Sequence, residues 1–406
     1  MLKELFINIF LRRHRFWRFA SFSEIGELYT VKMMRTIGFY VGASFMSVYM
    51  LKSGYSVVDI SLFWAGYFAL KVVMILPLAK LIADIGPKKA VIISNFLYIP
   101  SMISFIFLPQ FGLWSLLITG SLQAISAALY NMGYTITFSR VKNPEKAGRQ
   151  VASMNIAEKI AKGVSPLIGG LLAMFFDPRA SIVVSTIFFI LAAWPLLRTK
   201  DTMQTGFKLI PKKFPWKQAK SGLMAQLPLG FDIYASGIAW SIFLASLIFT
   251  TDSNQVYAEL GALTSLILAV SLISTYAYGK LIDRRAGGQL LYWAAIGSVV
   301  VDIFRILVRT PAMAVGTNAA KEVMMTGYSM AFMRGMLDEA DRSGYRVLYV
   351  CLSNLIANLG SLAAALILAG AVAMFHTAGG FTIFYLVAAA VISLLTLTKF
   401  RLYRLR

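Results

Sequence analysis

The sequence predicts an all-α membrane protein with twelve transmembrane helices in two pseudo-symmetric six-helix bundles and with both termini in the cytoplasm. Apolar residues make up 58% of the 406 residues and charged residues only 14%, which is about half the charged share of a soluble protein. Twelve stretches are long and apolar enough to span a bilayer as helices, and basic residues concentrate in every second loop between them. These observations exclude a disordered chain and disfavour a water-soluble globule.

The twelve stretches differ in polarity. The third, sixth, ninth and twelfth are short and uniformly apolar, which predicts helices that face lipid. The first, second, fourth, seventh, tenth and eleventh are long and carry polar residues, which predicts helices that face a polar interior. In chain order the stretches cover residues 24–51, 57–83, 89–109, 112–139, 150–174, 180–198, 221–250, 256–282, 289–309, 311–337, 345–374 and 378–399.

The loops predict the orientation. With the N-terminus in the cytoplasm, the cytoplasmic segments hold 29 of the 39 Lys and Arg residues and the outer loops hold three. This bias follows the positive-inside rule, and it accounts for the net charge of +21 without an acidic partner or a nucleic acid. We therefore expect an integral protein of a prokaryotic cytoplasmic (inner) membrane, with anionic lipids at its cytoplasmic face.

Two basic segments divide the chain into domains. Residues 1–22 are predicted to form a basic amphipathic helix that lies on an anionic membrane surface. Residues 199–220 form the longest loop and carry six lysines, which predicts a basic cytoplasmic linker. Residues 23–198 and 221–406 are then the N-terminal and C-terminal six-helix bundles.

The sequence disfavours metal, cofactor and catalytic sites. Cys351 is the single cysteine, so the chain can form no intramolecular disulfide and no thiolate cluster. His14 and His376 lie far from each other and from any carboxylate in the sequence. Neither a zinc-binding H-E-x-x-H pair nor a phosphate-binding P-loop occurs. We expect no cofactor and no enzymatic activity.

A repeated pattern relates the two halves. The fourth stretch ends in G-Y-T-I-T-F-S-R over residues 133–140, and the tenth ends in G-Y-S-M-A-F-M-R over residues 327–334, which is 194 residues later. A second match pairs Ser153, Ile156 and Ala157 in the fifth stretch with Ser353, Ile356 and Ala357 in the eleventh. Two matches at corresponding helices indicate a duplication with parallel repeats.

Two loop motifs carry a family resemblance. Residues 79–89 are A-K-L-I-A-D-I-G-P-K-K and residues 279–285 are G-K-L-I-D-R-R. With the twelve helices and the basic central loop, they resemble the major facilitator superfamily of secondary transporters, whose motif after the second helix is G-x-L-a-D-x-x-G-[RK]-[RK]. The resemblance covers nearly all of the chain beyond residue 22. In the first copy Ala79 replaces the opening Gly and Asp84 comes one position late, whereas the second copy fits better.

The resemblance implies that both motifs help to close the cytoplasmic side. Gly279 would allow close helix approach, and Asp283 would cap a facing helix N-terminus, where the helix dipole favours an anion. The alternative is that the basic residues only obey the positive-inside rule. The candidate gating residues are Asp84, Gly86, Lys88, Lys89, Gly279, Asp283 and Arg284.

Two other helices match family motifs in part. The fifth contains G-V-S-P-L-I-G-G over residues 163–170, which is similar to a motif often associated with antiporters and which we interpret as a packing and bending element. Proton-driven members carry R-x-x-Q-G in the fourth helix. Here Gln123 matches, but Gly120 stands in place of the Arg, so coupling through that Arg is not implied.

Charged residues within the stretches need a physical reason, because a charge at the bilayer centre costs roughly 2.5–3.5 kcal/mol or more. Glu158 and Lys162, at i,i+4, and Asp302 and Arg305, at i,i+3, are predicted ion pairs within one helix. Lys32 is expected to extend towards the cytoplasmic interface. In the family the first, fourth, seventh and tenth helices line the central cavity, so charges near their midpoints are candidates for solute contacts.

Polar and aromatic residues on one face of the fourth helix, with their counterparts on the tenth, would face each other across that cavity. The alternative is interhelical bonding, with Lys321 neutralised by Asp232 or Glu322. The candidate solute-binding residues are Arg35, Lys71, Gln123, Tyr130, Tyr134, Asp232, Lys321, Glu322 and Tyr328.

The expected function is secondary transport of a small organic solute by alternating access. Basic residues outnumber acidic ones at membrane depth, which favours an anionic or zwitterionic solute. A proton or a sodium ion is a candidate coupling ion, and we expect a monomer. The alternatives are efflux of amphipathic drugs or metabolites, and a sensor or lipid scramblase that has lost transport activity.

Overall fold

The computed structural model describes residues 24–141, 147–198, 214–249, 255–283 and 286–403, and in these ranges all regular structure is helical. The predicted amphipathic segment 1–22 and residues 199–213 of the predicted linker lie outside the described residues. Twelve long helices follow one another in the described ranges, which confirms the predicted helices. The largest differences are at the ends of the tenth helix, residue 343 against a predicted 337, and of the twelfth, residue 393 against a predicted 399.

The first six helices form the N-terminal bundle. Helix α1 covers residues 24–52 in three consecutive parts, and the other five are single helices. Their bounds are Glu24–Val41, Ala43–Phe45 and Met46–Lys52 for α1, then Val57–Ile85 (α2), Pro87–Ile106 (α3), Leu113–Val141 (α4), Ala147–Phe175 (α5) and Pro178–Arg198 (α6).

The last six helices form the C-terminal bundle. Helix α7 covers residues 216–248 and begins inside the predicted linker 199–220. A single helical run, Arg346–Ser393, is broken by non-helical backbone at Phe375 and His376, so it comprises α11 (346–374) and α12 (377–393). The remaining bounds are Gln255–Asp283 (α8), Gly287–Arg305 (α9) and Pro311–Ser343 (α10).

Local sequence explains where α2 begins and ends. Ser56 and Asp59 form a capping box that bonds the first free backbone N–H groups of the helix. Gly86 ends α2 with φ of 93°, a backbone conformation that glycine adopts without steric cost. Pro87 then starts α3, where its missing N–H is no loss. The predicted gating residue Gly86 is therefore the pivot of a tight turn between the two helices.

Helix α7 contains two π-helical stretches, Tyr234–Ala239 and Leu244–Ile248. The first begins two residues after Asp232, which is a candidate site residue. Such wide turns inside α-helices are frequent at functional sites.

The bundles meet along two pairs of helices, α5 with α8 and α2 with α11. Small residues allow the α5–α8 contact: a side chain at Gly170 would clash with the Tyr257 backbone, and one at Gly261 with that of Pro166. Gly169 allows α5 to pack on Val41 of α1 in the same way. The glycine-rich motif of α5 therefore acts in packing, within the N-terminal bundle and between the bundles.

The repeated pattern occupies equivalent positions in the two halves. Gly133 of α4 packs against α3 at Pro87 and Val91, and Gly327 of α10 packs against α9 at Ala294. Helices α3 and α4 thus correspond to α9 and α10. The matched glycines mark the same helix contact in each bundle, as a duplication requires.

Seven helical segments in the described residues are long and apolar enough to cross a membrane. The last of these contains both α11 and α12. The segments are Pro87–Ile106, Leu113–Phe138, Pro178–Leu197, Ala219–Ile248, Gln255–Gly279, Gly287–Arg305 and Leu348–Leu397. Helices α1, α2, α5 and α10 are not among them, and each carries a Lys or Arg at depth. The twelve-span topology and the cytoplasmic location of both termini remain predictions.

Candidate functional site

Arg35 is the centre of a polar cluster inside the N-terminal bundle. Its guanidinium donates to Asn95 Oδ1 at 2.5 Å, to Ser126 Oγ at 3.1 Å and to Ser94 Oγ at 3.4 Å. The guanidinium carbon also lies 4.0 Å from the centre of the Tyr130 ring, a cation–π contact. All of these partners are neutral, so the positive charge of Arg35 is solvated by dipoles and is not cancelled by an acid.

The polar stripe of α4 faces α1 and α3. Gln123 donates to Tyr98 Oη at 2.5 Å, and the Tyr134 hydroxyl donates to the Leu28 carbonyl oxygen at 3.3 Å. The rings of Tyr130 and Tyr134 stack on each other with 5.3 Å between their centres. The expectation that this stripe faces α10 across a cavity is therefore corrected. The stripe does form one helix face, but that face packs inside the N-terminal bundle.

Lys71 of α2 is buried among aromatic rings. Its ammonium lies 5.2 Å from the centre of the Tyr67 ring and 5.4 Å from that of Phe68. Across the part of the chain that the structure describes, no acid lies within ion-pair distance of this lysine. The ring of Phe68 packs against that of Tyr234 in the C-terminal bundle, with 6.2 Å between the ring centres. Lys71 therefore lies close to the surface where the bundles meet.

A compact ionic cluster forms the polar centre of the C-terminal bundle. Lys321 Nζ lies 2.8 Å from Asp232 Oδ1 and 2.6 Å from Asp302 Oδ2. Arg305 Nη1 lies 3.3 Å from Asp302 Oδ1, which confirms the predicted i,i+3 pair. The Tyr328 hydroxyl donates to Asp232 Oδ2. The charges of the two acidic and two basic side chains cancel, and none of the four side chains is more than 2% exposed.

Three of the predicted solute-binding residues, Asp232, Lys321 and Tyr328, therefore bind one another. This geometry matches the alternative interpretation, in which Lys321 is neutralised by Asp232. The sequence did not indicate that Asp302 contributes a second carboxylate to the same ammonium, because that contact joins α9 and α10.

The polar centres occupy equivalent helices of the two bundles. In the N-terminal half the cluster joins α1, α3 and α4 through Arg35, Asn95 and Ser126. In the C-terminal half it joins α7, α9 and α10 through Asp232, Asp302 and Lys321. Each half thus has a polar centre, with a cation bound by neutral groups in one and a neutral ionic cluster in the other.

A third polar group connects the two bundles. Lys159 of α5 donates to Glu322 Oε1 at 3.1 Å and to Thr326 Oγ1 at 2.8 Å, both on α10, and to Ser271 Oγ at 2.5 Å on α8. Glu322 was a predicted site residue, whereas Lys159 was not. Lys159 directly follows Glu158, so it points about 100° away from the Glu158 side chain, and this was the available signal that it serves another helix.

The neighbouring residue Glu158 binds two lysines. Lys162 Nζ lies 2.7 Å from Glu158 Oε1, which confirms the predicted i,i+4 pair, and Lys32 Nζ lies 3.4 Å from Glu158 Oε2. Lys32 also lies 5.3 Å from the centre of the Tyr134 ring. The expectation that Lys32 only extends to the interface is thus corrected, since it joins α1 to α5.

The predicted gating residues of the first motif lie in and around the α2–α3 turn. Lys88 forms an ion pair with Glu27 of α1 at 3.3 Å, within the N-terminal bundle. Asp84 and Lys89 are exposed. The Lys88 pair anchors the turn to α1, and a latch between the bundles stays a prediction.

The second motif differs from its expected packing. A side chain at Gly279 would meet open space, so the expected close helix approach at this glycine is wrong. Helix α8 ends at Asp283, but the side chain of Asp283 and the whole of Arg284 lie outside the described residues.

In α4, a side chain at Gly120 would lie 3.1 Å from the Phe63 ring, so an Arg would not fit there without rearrangement.

Comparison with known proteins identifies the family. The family model described as Major Facilitator Superfamily matches residues 28–333, which is most of the chain. The chain belongs to the major facilitator superfamily. It is a transporter of this superfamily and not an enzyme.

Solved transporters have the same fold. A bacterial homologue of the iron transporter ferroportin, in an outward-facing state with soaked iron, has a TM-score of 0.69 at 13% identity, over 95% of this chain and 100% of that one. A peptide transporter, POT, in complex with sulfate, has a TM-score of 0.66 at 12% identity, over 92% and 93% of the chains. The E. coli fucose:proton symporter FucP has a TM-score of 0.62 at 10% identity, over 92% and 97%. No curated protein matches the sequence. At these identities the likeness establishes the fold alone.

Proposed function

We propose that this superfamily member is a secondary active transporter that moves a small anionic or zwitterionic organic solute by alternating access. Both termini would lie in the cytoplasm, and the protein would reside in a prokaryotic cytoplasmic membrane. The single observation that carries the solute class is the uneven distribution of charge at membrane depth between the two bundles.

Among the charged residues that the sequence predicts deep in the spans, away from the helix ends, the N-terminal bundle has a net charge of +4 and the C-terminal bundle one of −1. The first has five basic residues and one acid, and the second has two basic residues and three acids. Two of the N-terminal cations, Arg35 and Lys71, have no acid as an ion-pair partner among the described residues. Because unpaired charges in a membrane interior are costly and are kept for function, this surplus supports an anion-binding role for the N-terminal bundle.

Contacts between the bundles support the alternating-access part of the proposal. At the predicted outer end, the ring of Phe45 in α1 packs against that of Tyr257 in α8, with 5.8 Å between the ring centres. The last part of α1, Met46–Lys52, also packs against Trp240–Phe243 of α7. These contacts would close the outer side, and they would have to separate for a solute to enter from that side.

The efflux of amphipathic compounds is less well supported. That function would use a free carboxylate, and the two candidates are Asp232 and Glu322. Asp232 is bound by Lys321 and Tyr328, and Glu322 is bound by Lys159. A proton or a sodium ion remains the candidate coupling ion, and the FucP neighbour, itself described as a proton symporter, makes the proton the first to test. Since both bundles come from one chain, a monomer would suffice.

The test is uptake into proteoliposomes that contain the purified full-length protein. Labelled mono- and dicarboxylates, amino acids, organic cations and neutral amphipathic compounds are compared with protein-free liposomes. We expect uptake of at least one carboxylate or amino acid above the protein-free background. Uptake confined to cations or neutral amphipathic compounds would overturn the proposed solute class.

A further inference from the structure

Five charged side chains from the two bundles form one continuous network. We define the lysine–glutamate network as Lys32, Glu158, Lys159, Lys162 and Glu322. Glu158 binds Lys32 and Lys162, and Glu322 binds Lys159. Glu158 and Lys159 are adjacent in α5, and Lys162 follows within one helical turn, so the two ion-pair groups lie side by side on that helix. The two ion-pair groups therefore belong to one electrostatic unit.

The network has a surplus of one positive charge, and two of its side chains are partly exposed. It contains three lysines and two glutamates. The side chain of Lys162 is 42% exposed and that of Glu322 31% exposed, whereas the Lys321 side chain in the C-terminal cluster is only 2% exposed. Arg35 is also buried, with its hydrogen bonds made to neutral groups. An incoming anion can thus reach the network more readily than either polar centre that the sequence favoured.

The ion pair that joins the two bundles in this network consists of the Glu322 carboxylate and the Lys159 ammonium. Glu322 Oε1 accepts a hydrogen bond from Lys159. The hydroxyl groups of Ser271 and Thr326 donate to the same oxygen at 2.5 and 3.1 Å. If Glu322 leaves Lys159, its carboxylate keeps these two hydroxyl partners within its own bundle. Lys159 would then lack an anion, and a carboxylate from a solute has the same charge and geometry as the one it replaces.

We propose that the lysine–glutamate network is the solute-binding site, and that a solute carboxylate replaces Glu322 on Lys159 while Lys162 supplies the second cation. This inference rests on the proposed function and adds the residues and the exchange step to it. The exchange breaks the bond between α5 and α10 when the solute binds. Binding and the relative movement of the bundles are therefore coupled, because the solute interacts differently with the bridged and unbridged states.

The test uses opposite effects of two substitutions on carboxylate binding. The melting temperature of the full-length protein in detergent is measured with sodium acetate, lactate, succinate and benzoate, each against sodium chloride at the same ionic strength. We expect at least one carboxylate to stabilise the wild type. Lys162→Gln should weaken that carboxylate's binding by about tenfold or more, since a charge-assisted hydrogen bond is lost. Glu322→Gln should tighten it, because the internal competitor is gone.

Lys80→Gln is the matched control, since Lys80 is an exposed lysine of α2 outside the network, and it should keep the wild-type response. If carboxylates stabilise Lys162→Gln and Glu322→Gln as much as they stabilise the wild type, the proposed site is wrong, whereas the proposed solute class is unaffected. Absence of stabilisation by every carboxylate, in the wild type and in Glu322→Gln, would overturn the anionic solute class together with the site.

Discussion

Lys159 of the N-terminal bundle and Glu322 of the C-terminal bundle form an ion pair of 3.1 Å that joins the two halves of the molecule. The pair is half-buried and is extended by Ser271 and Thr326, so all acceptors of the Lys159 ammonium belong to the opposite bundle. The two polar centres around Arg35 and Lys321 each lie within one bundle. Unlike these two centres, the network that contains Lys159 has groups from both bundles, so it can sense their relative position.

The ionic cluster of the C-terminal bundle should be required for stability. Lys321→Gln removes the cation shared by Asp232 and Asp302, and breaking a buried ion pair costs about 3–5 kcal/mol. We expect a marked fall in melting temperature in detergent. The double variant Lys321→Gln with Asp232→Asn should recover much of the loss, since Asp302 then keeps Arg305 as a neutral pair. A double variant as unstable as the single one would contradict the charge-balance explanation.

The close approach of α5 and α8 should depend on Gly170. In Gly170→Ala the new methyl group would clash with the Tyr257 backbone, and overpacking of this kind costs roughly 1–3 kcal/mol. We expect a lower melting temperature. Gly66→Ala is the control, because a side chain at Gly66 of α2 meets open space, and it should change stability by less than about 1 kcal/mol. Equal effects of the two substitutions would rule out the packing explanation.

Helices and local pairs could be predicted from the sequence because both depend on residues close in the chain. The Glu158–Lys162 and Asp302–Arg305 pairs follow from helical spacing alone. Contacts such as Lys321–Asp302 and Lys159–Glu322 depend on how each helix is rotated about its axis, which periodicity does not determine. The polar stripe of α4 illustrates the limit, since the face is correct but its neighbours are α1 and α3. For Lys159, only its position one residue after Glu158 hinted at a different partner.

Glu339, beyond the predicted span 311–337, should make stability depend on pH. Burial raises the pKa of its carboxyl group from 4.5 to about 7, although the Tyr349 hydroxyl donates to it at 3.1 Å. Between pH 4.5 and 7 the unfolded chain releases this proton while the folded protein retains it. The folded state therefore loses stability as pH rises through this range.

Glu339→Gln should remove this part of the pH dependence. The expected result is a variant whose melting temperature falls less than that of the wild type between pH 5 and pH 7.5, measured in one detergent and at constant ionic strength. Asp84→Asn, which alters an exposed carboxylate, should leave the wild-type profile in place. Parallel profiles for the wild type and Glu339→Gln would show that this carboxyl group does not titrate in the range.

The predicted orientation can be tested by labelling a cysteine in the central linker. In a Cys351→Ala background, a cysteine introduced by Gln204→Cys should react with an impermeant maleimide only after the membrane is opened, because the linker is expected to be cytoplasmic. Gly54→Cys, in the predicted outer loop between α1 and α2, serves as the opposite control and should react in intact cells. Labelling of the linker cysteine from outside would reverse the topology.

Alternating access between the two bundles is tested most directly by joining their predicted outer ends. Phe45 and Tyr257 contact each other across the bundle interface at 5.8 Å, so cysteines at both positions can be joined by a short thiol-reactive cross-linker in the Cys351→Ala background. Uptake of the carboxylate with the largest signal in proteoliposomes is then compared with that of the two single-cysteine variants treated in the same way. The account predicts that cross-linking abolishes uptake, while both single-cysteine variants continue to transport. Undiminished uptake by fully cross-linked protein would contradict it.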